Sequence, residues 1–165
     1  MLNRRMISPP ILELPRDGRQ SDRALTICRG TRRLLRAHGH STVTELSLPN
    51  GRRADIVGLA PDGTITIVEV KSCPADFRAD RKWPEYRGHC DRLFFAISGE
   101  TSPELMPADA GLIVADAYGA DFFREAPLHK LAPATRRAML LRFGQTAADR
   151  LHLLWDGDCG IPQAL

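Results

Sequence analysis

Asp55, Glu69 and Lys71 are the residues in this chain whose types and spacing fit phosphate chemistry. Carboxylate oxygens are hard ligands that suit magnesium or manganese. A lysine beside such an ion positions or deprotonates a water and offsets the charge that builds on a phosphate. Glu69 and Lys71 stand two apart in TITIVEVK, the segment of strongest β character, so they leave the strand on one side. Ile65 and Ile67 share that side, which makes it a partly buried face where a charge is costly without a use.

Whether Asp55 joins them depends on two turns. Pro61-Asp62-Gly63 has the chemistry of a three-residue hairpin loop, a type I turn followed by a left-handed glycine. Such a loop pairs Ala60 with Thr64 and sets Asp55 opposite Glu69. Pro49-Asn50-Gly51, read the same way, pairs Leu48 with Arg52 and sets Glu45 opposite Asp55. Three carboxylates then lie across three strands, an arrangement that needs a cation, a proton or arginine to hold it. A two-residue turn at Asn50-Gly51 instead slips the register and sends Glu45 to the other face. The alternative to a site is an ordinary wet sheet face carrying solvated charges.

The elements around these residues read as an α/β domain with a mixed central sheet flanked by helices, in the order α-βββ-α-β followed by two further strands and a helix. Residues 1–20 are a loose arm, 21–155 the domain and 156–165 a tail. Ser21 or Asp22 caps a first helix that ends at His38-Gly39, with Ala24, Ile27, Cys28, Thr31, Leu34 and Leu35 at helical spacing. Strands are expected over Val43–Leu48, Arg52–Leu59, Thr64–Lys71, Leu93–Ser98 and Gly111–Asp116, with a turn and a further strand by Arg124. A helical segment follows Pro74, kinked near Pro84. The last helix spans Pro133 to Leu154, with Leu140, Phe143, Ala147, Leu151 and Leu154 on one face.

A chain of 165 residues at net charge +3 is an ordinary globular domain whose total charge does not announce a nucleic-acid binder. Arginine far outnumbers lysine, and arginine is the better fork for phosphate. Arg29 and its neighbours on the first helix, Arg52 and Arg53 beside Asp55, and Arg136, Arg137, Arg142 and Arg150 on the last helix are candidate phosphate contacts; solvated helix faces are the alternative. The four cysteines have no paired spacing, and Cys73, His89 and Cys90 lack a fourth partner at zinc spacing. No apolar run has signal-peptide or membrane-spanning length, so a cytoplasmic protein without a membrane partner is expected. Trp83 and Tyr86 offer either base stacking or a buried anchor.

Asp55…Glu69-Val70-Lys71, placed after a leading helix, resembles the D…(D/E)xK signature of the PD-(D/E)XK nuclease superfamily, and implies a restriction-endonuclease-like core. Within it, GRRADIVGLAPDGTITIVEVKSCPADFRADRKWPEYRGHCDRLFFAIS is similar to the MmcB-type DNA repair proteins of bacteria, a likeness that runs from about residue 21 to 152 through GLIVADAYGA and the last helix. The resemblance implies Asp55 and Glu69 as ligands of magnesium or manganese and Lys71 as the catalytic lysine. Lys82 and Tyr86 fall where many relatives carry a Gln-xxx-Tyr pair, with lysine replacing the glutamine. Ala54 stands where a proline often precedes the first acid. The first helix has no acid beyond Asp22, so Glu45 is the candidate to replace a helical glutamate. DNA, and other mutagenesis or repair proteins, are the implied partners. Three readings follow: a metal-dependent nuclease in DNA repair, a module that grips DNA without cutting it, and an adaptor.

Overall fold

The computed structural model describes residues 21–75 and 83–156. Helix α1 (Asp22–Ala37) starts at Ser21, whose hydroxyl accepts the Ala24 N–H at 3.2 Å. It stops where Gly39 adopts φ 81°, a conformation glycine takes without Cβ strain. Three strands follow, β1 (Ser41–Ser47), β2 (Arg53–Leu59) and β3 (Ile65–Lys71), then β4 (Arg92–Ile97), β5 (Gly111–Ala115) and β6 (Ala120–Arg124). They form one sheet in chain order, antiparallel from β1 to β3, parallel from β3 to β5 and antiparallel again at β6. Helix α2 (Pro133–Trp155) closes the chain. This is the mixed sheet with flanking helices that the element order predicts.

The helical segment expected after Pro74 is helical at Pro74 and Ala75, and residues 83–89 wind as a 3-10 turn. One face of the sheet buries Ile56, Val68, Phe94 and Ile113 under Ile27, Cys28 and Leu35 of α1. The helix approaches so closely that a Cβ on Gly30 would lie 2.4 Å from the carbonyl oxygens of Asp116 and Gly119, so only glycine lets α1 seat on the β5–β6 turn. The other face buries Val57, Ile67 and Leu93 with Tyr86, Leu131 and Met139.

On α2 the expected apolar face is only partly right. Phe143 and Ala147 pack on the core, but the buried side chain is Met139, while Leu151 stays 55% exposed and Leu140 and Leu154 are exposed as well. Among the described residues the helix runs on past the end of the core, and its later leucines stay exposed.

Arg136, a candidate phosphate contact by sequence, has another task. Its guanidinium forks onto Asp91, at 2.6 Å to Oδ1 and 2.9 Å to Oδ2, and also donates to the Gly63 carbonyl at 2.7 Å. Asp91 is 2% exposed and also accepts the N–H groups of Ile65 (2.8 Å) and Leu131 (3.0 Å). This one carboxylate ties the β2–β3 loop, β4 and the entry of α2 together. Burial alone would raise its pKa; the Arg136 fork and the two backbone donors outweigh that and hold it below the usual value.

Candidate functional site

Both turns form as their residues dictate. Ala60 N–H bonds the Thr64 carbonyl (3.0 Å) across Pro61-Asp62-Gly63, with Gly63 at φ 83°. Leu48 N–H bonds the Arg52 carbonyl (2.7 Å) across Pro49-Asn50-Gly51, with Gly51 at φ 80°. The register that follows pairs Ile56 with Val68, so the next position along sets Asp55 against Glu69.

At that position side chains replace the backbone ladder. Asp55 N–H donates to Glu69 Oε1 at 3.3 Å, and Val70 N–H donates to Asp55 Oδ2 at 2.8 Å. Each acid thus takes a backbone donor, one from the neighbouring strand's start and one from its end, and the strands part around them. Lys71 Nζ lies 4.0 Å from Glu69 Oε2 and 5.9 Å from the centre of the Phe95 ring. Glu69 is 3% and Lys71 6% exposed, so the wet-face alternative does not describe this sheet face. The three residues picked from their spacing stand together.

Desolvation dominates the electrostatics. It pushes the Asp55 carboxyl from 3.8 up to about 6; the Val70 N–H opposes the shift, the charge of Glu45 adds to it, and Lys71 and Arg53 oppose it. An acid whose pKa is raised on folding favours the fold below its unfolded value and loses that contribution as pH rises through the folded value. Above pH about 6 the metal-free protein carries the ionised group at a cost of roughly 3 kcal/mol. Asp55→Asn is therefore expected to be more stable than the parent at pH 8 in chelator, with the gap closing towards pH 4. Denaturant midpoints of both proteins across that range check it, and a gap that ignores pH would refute it.

Glu45 follows the expected count, lying between the pairs Thr44–Ile56 and Leu46–Ala54, but not the expected geometry. Its backbone is left-handed at φ 51°, the pairing with Asp55 is interrupted, and Arg53 Nε meets its carboxylate at 2.5 Å. Opposed like charges disfavour a regular pair there, and the arginine takes up the acid. Arg52 lies just before β2 with its guanidinium forked onto Glu85, at 2.8 Å to each oxygen. Arg29 is exposed on α1. Tyr86 is buried, its hydroxyl donating to the Arg53 carbonyl at 3.3 Å, and Trp83 meets Phe95 edge-on at 5.6 Å, the anchoring role rather than a stacking platform. Lys82 lies outside the described residues.

The donor set fits a hard divalent cation of modest coordination by protein. Asp55 commits Oδ2 to Val70 and leaves Oδ1 uncommitted among the described residues; Glu69 Oε2 faces the lysine. No group of three His, Cys, Asp or Glu side chains gathers among the described residues, so neither a closed cage nor the zinc reading of Cys73, His89 and Cys90 is supported there. One or two carboxylates completed by water and substrate phosphate is how magnesium is usually held. What sequence reasoning missed is the pair of backbone donors that fix the acids, and nothing short of the strand divergence could have shown them.

No helix among the described residues is long and apolar enough to cross a membrane. A solved protein of unknown function from Silicibacter pomeroyi is 44% identical, with a TM-score of 0.83 over 87% of this chain and 99% of its own. A repair endonuclease from Pyrococcus abyssi aligns over 52% of this chain and 41% of its own at 17% identity and a TM-score of 0.34, too distant a likeness to bear on function. Comparison with curated proteins finds no match. The model of the family described as DNA repair protein MmcB-like matches residues 13–158, and the chain belongs to that family.

Proposed function

We propose that the protein hydrolyses phosphodiester bonds of DNA during repair, with Asp55 and Glu69 as ligands of a magnesium or manganese ion and Lys71 as the catalytic lysine. The observation that carries this reading is a buried glutamate and lysine beside a half-buried aspartate where the ladder between β2 and β3 opens. A bound ion would supply Lewis acidity at the phosphate and lower the pKa of a water. Asp55 offers Oδ1, and its other oxygen stays tied to Val70, which fixes the carboxylate plane. Glu69 is oriented by the Asp55 N–H. Lys71 positions the attacking water and offsets charge on the phosphate, its ammonium lying over the Phe95 ring at 5.9 Å from the centre. Water adds to phosphorus, the bond to one ester oxygen breaks, and the proton lost by water ends on the leaving alcohol.

Calorimetric titration of the parent and of Asp55→Ala with magnesium and with manganese tests the metal assignment. The parent is expected to bind and the variant to lose at least about tenfold in affinity. Equal binding isotherms would remove the catalytic reading and leave the fold untouched. The second reading, a module that grips DNA without cutting it, is favoured by the lack of a third acid gathered with Asp55 and Glu69 among the described residues. Binding without cleavage under either ion, steeply weakened by salt, would select it.

A further inference from the structure

The inward stripe of α2 runs Met139, Phe143, Ala147 and then, one turn on, Arg150. An arginine at an inward helical position needs a reason. Arg150 reaches the Thr44 hydroxyl at 3.4 Å, while Arg32 of α1 reaches the Thr42 hydroxyl at 3.4 Å. Thr42 and Thr44 are two apart on β1, so arginines more than a hundred residues apart in sequence bring two half-buried guanidiniums over neighbouring positions of one strand. Among the described residues neither arginine has a carboxylate within ion-pair distance; the nearby Glu45 is engaged by Arg53. Arg142 extends the row, donating to the Ser47 carbonyl at 3.5 Å. Burial and the charge of Arg32, against the pull of Glu45, hold the Arg150 guanidinium below its ordinary pKa. Two like charges in a half-desolvated place call for an anion.

β1 is an edge strand, open on its outer side within this sheet. Thr44 pairs with Ile56, one position from Asp55, and Glu69 lies on the strand beyond. Two strand spacings put the Glu69 backbone about 10 Å away, with the threonines on the α1 face and Glu69 on the other. We infer that the β1 edge is the track of the nucleic-acid backbone and that Arg32 and Arg150 form a subsite for a non-scissile phosphodiester beside the reacting one. Guanidinium forks match phosphate oxygens from two sides, and the separation from Glu69 places the held phosphate away from the metal, round the β1 edge. This rests on the nuclease reading for the word non-scissile, and on geometry alone for the phosphate subsite.

The test is fluorescence anisotropy with a labelled forked DNA and the full chain, in chelator so that nothing is cut. Arg32→Gln and Arg150→Gln are each expected to weaken binding about tenfold and to lower the slope of log affinity against log salt by about one. Lys130→Gln, at an exposed lysine just ahead of the same helix, is expected to change affinity by less than about twofold. Arg150→Lys, which keeps the charge, is expected to retain the slope and so separates lost contact from lost folding. If Arg32→Gln and Arg150→Gln bind like Lys130→Gln, the subsite is wrong. Inorganic phosphate at fixed ionic strength is expected to compete poorly; if it holds the site as tightly as DNA does, the backbone reading is wrong. A parent that binds through these arginines yet cuts nothing under magnesium or manganese would overturn the nuclease reading and keep the phosphate subsite. A parent that cuts, with both glutamine variants binding and cutting normally, would overturn the subsite alone.

Discussion

Lys71→Gln is expected to lose DNA cleavage by a factor of at least about 10²–10³ while still binding magnesium, because the side chain acts on charge that develops only during reaction. Glu69→Gln should lose both, since its carboxylate is a ligand in this reading and also accepts the Asp55 N–H. Single-turnover cleavage of single-stranded, duplex and forked DNA under saturating magnesium or manganese measures the effect. Metal affinity and thermal midpoint, taken on the same preparations, separate chemistry from folding. Glutamine keeps part of the stem and a hydrogen-bonding head without the charge, so loss of activity with an intact midpoint belongs to the missing cation. If Lys71→Gln cuts as well as the parent, the assignment of Lys71 is wrong.

Asp91→Ala is expected to lower stability by about 3–5 kcal/mol, the usual result of removing one partner of a buried pair. Four donors lose their acceptor at once: both arms of Arg136 and the N–H groups of Ile65 and Leu131. For a chain of this size the thermal midpoint should fall by about 10 °C or more. The acid side follows from the sign of the shift: a carboxyl held low in the fold contributes its full stability above its unfolded pKa and loses it as pH falls through the folded value. Parent and variant should therefore converge in stability at strongly acidic pH. A variant that melts with the parent at pH 7 would show that the hub is decorative.

The order of elements and the hairpin register were readable because glycine and proline mark turns by local stereochemistry. Gly51 and Gly63 take positive φ where the turn chemistry demands it, and counting from them places Asp55 and Glu69 correctly. Glu45 was placed by count but not by conformation, because a left-handed residue inside a strand has no local sequence signal when it is not glycine. Arg136 and Arg150 read alike on paper. One closes on Asp91 and the other faces Arg32, a difference set by contacts 45 and more residues away that no local pattern encodes. Leu151 and Leu154 fit an apolar stripe perfectly well, yet burial depends on where the opposing sheet ends, which periodicity does not report.

The strands of this sheet lie side by side in the order in which they are translated, so each one leaving the ribosome finds its neighbour already waiting. Arg136 is among the last of the packed residues to emerge. Until it does, the carboxylate at position 91 has no counter-ion, and water must reach it. Nascent chains stalled before the final helix thus carry an unmatched charge at position 91 beside the uncovered face on which Met139 packs, and quality-control proteases should remove them faster than the completed protein.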